Sequence, residues 1–143
     1  MIRTIQLTDA KAIRDISEFS LGYKTTEAVT ELQIEKLLQN TEHFIRVYED
    51  DETHIVVGFI HAEAYQLLYN EPGFNILGLA VLPEYQHRGI GKQLLQAVEA
   101  EAAARNYRFI RLNSGEHRME AHAFYEHCGY NYTKLQKRFI KEW

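Results

Sequence analysis

The stretch from Phe74 to Leu112 constrains the fold more than any other part of the chain. Phe74 to Leu82 (FNILGLAVL) is an almost unbroken apolar run, as expected of a strand covered on both faces. After the turn PEYQHRG, the residues Ile90, Leu94, Val98 and Ala102 recur every fourth position with Leu95 beside them, which is one buried helical stripe. Glu and Ala fill the other helical positions and favour helix strongly. Phe109 to Leu112 then reads as another strand. A strand, helix, strand unit of this kind demands a right-handed crossover between two parallel strands.

The flanking sequence adds antiparallel elements. Met1 to Leu7 alternates as a strand, and Thr8 with Asp9 offers an N-cap to a helix carrying Ala12, Ile13, Ile16 and Phe19 that ends near Gly22. A second helical pattern runs from about Thr26 to Leu38. Phe44 to Tyr48 and Ile55 to Tyr65, separated by Asp50-Asp51, predict a hairpin, and Asn70-Glu71-Pro72-Gly73 marks the next turn. Met119 to His127 predicts a short helix, and Tyr130 to Ile140 a final strand. The expected order is βααβββαβαβ: an α/β fold with helices on both faces of a mixed sheet.

At 143 residues without an internal repeat or a Pro/Gly/Ser-rich linker, the expectation is one domain over residues 1–143. The net charge of −4 gives no electrostatic reason to expect nucleic acid, and amine-bearing partners suit it better. A single cysteine, Cys128, allows no internal disulfide and no cysteine zinc cluster, which fits a reducing cytoplasm. No apolar run has bilayer-spanning length, so no membrane partner is expected. His117, His122 and His127 have no recognised ligand spacing, and no metal is expected.

Gly89 and Gly91 stand at the start of the long helix, flanked by Arg88 and Lys92. Helix starts leave N–H groups without intrahelical partners and attract anions. Glycines there allow a phosphate to approach the main chain, while Ile90 anchors the turn to the core. The pattern is neither a Walker loop, since Lys92 lacks the required spacing and hydroxyl neighbour, nor a Rossmann fingerprint, since a third glycine is missing.

Gln86-His87-Arg88-Gly89-Ile90-Gly91 matches Q/R-x-x-G-x-G/A, and "AHAFYEHCGY" matches A-x-x-F-Y-x-x-x-G-F/Y further on. In both respects the chain resembles the GNAT superfamily of acetyl-CoA-dependent N-acetyltransferases. The resemblance implies a mixed, mostly antiparallel sheet with helices on both faces and a central βαβ unit that binds CoA. It implies that main-chain amides of Arg88, Gly89, Ile90, Gly91 and Lys92 hold the pyrophosphate, with Gln86 opening the loop. It further implies a bulged central strand, parted from its neighbour, whose main chain at Leu79 and Val81 meets the pantetheine arm.

Tyr125 matches the family tyrosine that serves as general acid beside the CoA sulfur. The family's usual bases are absent: Asn113 and Asn75 occupy positions where branches of the family have glutamate, and Arg118 replaces a frequent asparagine. Glu63 is therefore the first candidate base, followed by Glu71 and His61. Tyr65, Tyr69, Phe74, Phe19 and Tyr23 are candidates to line an acceptor pocket. The implied activity is acetyl transfer to a primary amine of a small molecule or peptide; the alternative is a catalytically silent acyl-CoA sensor. Dimers are common in the family, and the segment from Tyr130 is available to pair with another subunit.

Overall fold

A computed structural model describes residues 1–143. It divides into two compact units, Met1–Leu112 and Asn113–Trp143. The first unit contains β1 (Ile2–Thr4), α1 (Ala10–Ile16), α2 (Glu27–Leu38), β2 (His43–Glu49), β3 (Val56–Tyr65), β4 (Gly73–Val81), α3 (Ile90–Ala104) and β5 (Ile110–Leu112). The second contains α4 (Met119–His127).

The five strands form one sheet in the order β1-β2-β3-β4-β5. β1 to β4 are antiparallel and β4 pairs with β5 in parallel, as the crossover through α3 requires. One face carries Ile45, Val47, Phe59 and Ala80, which pack in a single cluster with Ala10 and Ile16 of α1 and Ile34 of α2. The opposite face presents Phe74, whose ring lies 4.9 Å from Tyr107 and under the guanidinium of Arg105 just beyond α3. The α3 stripe read from the sequence, Ile90, Leu94, Leu95, Val98 and Ala102, is wholly buried.

Arg3 ties the start of the sheet to the first helix. Its guanidinium donates two hydrogen bonds to the buried Asp9 carboxylate, at 2.8 and 3.0 Å, and one to Glu49 at 3.0 Å. The hydrogen bond to Asp9 is the main cause of a strongly raised Arg3 pKa, which keeps the cation charged.

Two expectations are corrected. Phe74 is fully buried, because its place on the α3 side of β4 makes it core rather than pocket lining. The final strand over Tyr130–Ile140 is not formed: residues 131–143 have neither helix nor strand and are exposed. Strand propensity is realised only through a paired neighbour, and this segment joins no ladder of the sheet.

Candidate active site

The sheet opens where β4 outlasts β5. Their pairing stops at Ile76↔Leu112, whereas β4 runs on to Val81. Just beyond that last pair, His61 faces Gly78 while the adjacent Ala62 faces Ile76, which leaves Leu77 as the extra residue of a β-bulge. Leu82 N donates to Val57 O at 2.8 Å, so in the alternation of an antiparallel ladder the pairs Gly58↔Val81 and Ile60↔Leu79 are the non-hydrogen-bonded ones. The main-chain polar groups of Leu79 and Val81 therefore point away from β3, towards the edge that β5 has left. The Val81 carbonyl already accepts from Ser20 Oγ at 2.9 Å and Gln86 Nε2 at 3.0 Å.

Gln86 thus closes the turn onto the end of β4, and the chain then passes through two left-handed residues, His87 (φ 64°) and Gly89 (φ 82°). A Cβ built at Gly89 meets no atom within 4 Å, so the loop is open at its backbone. Gln93 N donates to Gly89 O at 3.0 Å, the first bond of α3, and the preceding amides of Ile90, Gly91 and Lys92 have no partner of that kind. Successive left-handed and helical residues of this sort form an anion-accepting concavity. Gly91 lies in the first turn of α3 and has no positive φ; its contribution is a missing side chain, not unusual backbone freedom. Arg88 is held back along the loop, with its guanidinium donating to Glu84 O at 3.0 Å and lying 5.0 Å from the Tyr85 ring.

A polar row crosses the sheet on the α1/α2 side. The register aligns His43↔Glu63, Glu63↔Asn75 and Asn75↔Arg111. Asn75 Nδ2 donates to Glu63 Oε1 at 3.0 Å and Arg111 donates to Asn75 Oδ1 at 2.7 Å. The guanidinium thereby fixes which way the Asn75 amide faces, and the amide fixes the Glu63 carboxylate. Asn75, singled out in the sequence only as a missing glutamate, is in fact the partner of the carboxylate on the neighbouring strand. Arg111 was not anticipated, because only the strand register brings it into the row.

The other candidate bases differ in setting. Glu71 is in an exposed ion pair with Arg108 at 3.0 Å. His61 Nε2 lies 2.8 Å from His43 Nδ1; burial first, and the neighbouring His43 charge second, push its pKa down to about 4. A ring that holds its proton so weakly is a poor match for accepting one near neutral pH. The same depression affects stability. The unfolded chain protonates this histidine near ~6.5, above the folded value, so stability falls as pH drops from there towards about 4. His61→Gln should remove about 2–3 kcal/mol of the loss between pH 7 and 4 in urea titrations. An unchanged slope would show that the ring is not buried neutral.

In the second unit, Arg118 occupies the N-cap of α4, and Tyr125 lies in its last turn, two residues before its end. The Tyr125 ring packs edge-on against Phe124 at 5.2 Å and Tyr130 at 6.0 Å. Burial, with a smaller contribution from Cys128 and opposed by the charge of Arg118, pushes its phenol up to about 12. Tyr125 is thus protonated throughout the neutral range. His122 Nε2 lies 2.8 Å from the Gly115 carbonyl. Phe19, Tyr23 and Tyr69 are exposed, and Tyr65 is half-buried.

A parted parallel strand pair, a bulged central strand and a left-handed turn into the crossover helix are the three backbone features that the sequence resemblance implied. Residues 10–130 match the acetyltransferase (GNAT) family, and the chain belongs to that family and is an acyltransferase. It is 26% identical, over 99% of its length and 80% of the relative's, to an uncharacterized N-acetyltransferase of Chlorobaculum tepidum. Its fold is similar to that of aminoglycoside 6'-N-acetyltransferase AAC(6')-Ih from Acinetobacter baumannii, with TM-score 0.85, 20% identity, and 99% and 97% of the two chains covered. It is equally similar to AAC(6')-Iy in complex with the bisubstrate analogue CoA-S-monomethyl-acetylneamine, with TM-score 0.85, 19% identity, and 99% and 97% coverage.

Proposed function

We propose that this chain transfers the acetyl group of acetyl-CoA directly to a primary amine, within a ternary complex, and that the acceptor is a small molecule. The observation that carries the reading is the open left-handed turn at Gly89 leading into α3, set beside a β4 edge that β5 has vacated. A pyrophosphate fits the amides from Arg88 to Lys92, and an extended amide-bearing arm fits the outward main chain of Leu79 and Val81. Gln86 holds the turn in place. The family match runs through both units, which supports treating residues 1–143 as one acetyltransferase domain.

Transfer requires a neutral amine, which attacks the thioester carbonyl; the C–N bond forms and the C–S bond breaks. Glu63, aligned by Asn75, takes the amine proton directly or through one water. Tyr125, protonated at neutral pH because of its raised pKa, is the general acid that meets the departing sulfur, and solvent restores its proton. No metal is called for by this sequence of steps. The negative net charge and the exposed aromatic rings of Phe19, Tyr23 and Tyr69 suit a cationic acceptor. Because two structural neighbours are named for aminoglycoside acetylation, polyamino sugars are among the first acceptors to try. No helix is long and apolar enough to cross a membrane, and the lone cysteine suits a reducing cytoplasm.

The test is thiol release from acetyl-CoA with polyamines, aminoglycosides, amino acids and peptides as acceptors. Turnover above the hydrolytic background on at least one small amine is expected. Tight acetyl-CoA binding with no turnover on any amine would favour the silent sensor instead, and turnover on peptides alone would reject the small-molecule acceptor.

A further inference from the structure

β1 ends at Thr4, opposite Arg46, whereas β2 begins at His43. The notch this leaves at the sheet edge is a cavity of about 280 Å³, bounded by the end of α2 and the last turn of α3. Ile5, Leu37, Leu38 and Phe44 give it apolar walls, and Arg46, Glu101 and Arg105 give it charge. No residue of β4, β5 or the Gly89 turn lines it. Glu101 and Arg105 stand at the far end of α3 from Gly89, roughly 18–24 Å along the helix axis, so the cavity is separate from the proposed cofactor site.

The charges in the cavity do not cancel. Arg105 Nε donates to Glu101 Oε2 at 2.7 Å, and the same guanidinium lies over the Phe74 ring at 5.1 Å. Arg46 is left over. It is half-buried, lies over the Phe44 ring at 4.0 Å and donates from Nη1 to the Ile45 carbonyl at 2.9 Å. No carboxylate stands at ion-pair distance from it. The helix-end carbonyls of Leu37, Ala102 and Ala103 do not answer it either, because they accept from the main-chain N–H groups of Asn40, Tyr107 and Asn106. Burial lowers the Arg46 pKa, against the opposing charge of Glu101. A guanidinium drawn out of water without a counter-charge carries a desolvation cost that nothing in the chain offsets.

We propose that this cavity binds a small organic carboxylate, with its anionic group on the Arg46 guanidinium and its apolar body against Ile5, Leu37 and Leu38. A planar carboxylate matches the guanidinium fork, and its single charge equals the one in surplus. A phosphate group, at about −1.5 to −2, exceeds that surplus and is repelled by Glu101 in the same cavity. The inference is independent of the catalytic reading.

The test is an NMR titration of the ¹⁵N-labelled full chain with butyrate, with inorganic phosphate and butylammonium as comparisons. Butyrate should shift the amides of Thr41, Phe44 and Arg46 saturably, with a Kd of roughly 1–10 mM for so small a probe. Phosphate should bind more weakly, and butylammonium should leave those amides unmoved. Arg46→Gln keeps a donor for the Ile45 carbonyl and removes the charge, so the butyrate Kd should rise at least roughly tenfold. Leu38→Trp keeps the charge and narrows the cavity from a position that is 45% exposed; it should also weaken butyrate, at an unchanged urea midpoint, and it decides the matter if Arg46→Gln does not fold. No saturable shift with butyrate, equal shifts with butylammonium, tighter binding of phosphate, shifts confined to the amides from Arg88 to Lys92, or parental affinity in folded Arg46→Gln would each overturn the proposal.

Discussion

Tyr125→Phe should lower kcat by roughly 10²–10³-fold while changing the KM for acetyl-CoA by no more than about twofold. The ring keeps its edge-on packing against Phe124 and Tyr130 and loses only the hydroxyl, so the variant tests chemistry and not folding. The raised pKa, about 12, sharpens the expectation. Complete transfer from a phenol in that range to a thiolate whose parent thiol titrates near ~8.5 is uphill, so the acid acts mainly through the hydrogen bond it donates to sulfur as charge develops there, and the proton passes on only as solvent replaces it. It also fixes the pH dependence. A raised pKa keeps the protonated form in place until the pH approaches that value, so kcat should show no alkaline fall between pH 7 and 10. A fall in that range, absent from the Phe variant, would move the phenol's pKa far below its buried value. Unchanged kcat in Tyr125→Phe, with chemistry limiting the rate, would remove Tyr125 from the reaction.

Glu63→Gln makes the companion case. Its amide can keep the place of the carboxylate beside Asn75 but cannot accept a proton, so kcat/KM should drop roughly 10²-fold or more, most steeply below the pKa of the acceptor amine, where a proton must be removed before attack. Near-parental activity would return the base role to solvent or to an amine already neutral on binding.

The βαβ unit was legible in the sequence because its apolar run and its helical stripe differ in period, and each period implies its own burial. The bulge at Leu77 and the early end of the β4–β5 pairing were accessible only through the family resemblance, since no local residue pattern records where two strands separate. Glu63 was visible as an acidic residue on a strand, but its alignment by Asn75 and Arg111 depends on register across three strands, and register is a property of pairs that a single segment does not encode. The final strand failed for a related reason. Residues 130–140 have the propensity, and propensity needs a partner to become a strand.

Gly89→Val should raise the Kd for acetyl-CoA at least tenfold while leaving the domain folded. Two effects of the side chain are separable, because Gly22 offers the same backbone condition elsewhere in the unit. Gly22 (φ 77°) and Gly89 (φ 82°) are both left-handed, and a Cβ at either meets no atom within 4 Å. Valine at each should therefore cost a similar amount of stability, about 1–2 kcal/mol. Gly22 ends the π-type turn that continues α1, at Ser17–Leu21, whereas Gly89 stands beside the amides proposed to hold the pyrophosphate. Those amides contribute about 0.3–1 kcal/mol each, so displacing an anion from three or four of them costs about 1–4 kcal/mol, and the middle of that range is a loss of affinity of more than tenfold. Isothermal titration of acetyl-CoA into both variants, alongside urea unfolding, compares the two directly. Equal destabilisation with affinity lost only in Gly89→Val assigns the loop to the cofactor. Equal affinity in both variants would mean that the phosphates bind elsewhere, whatever the loop's geometry allows.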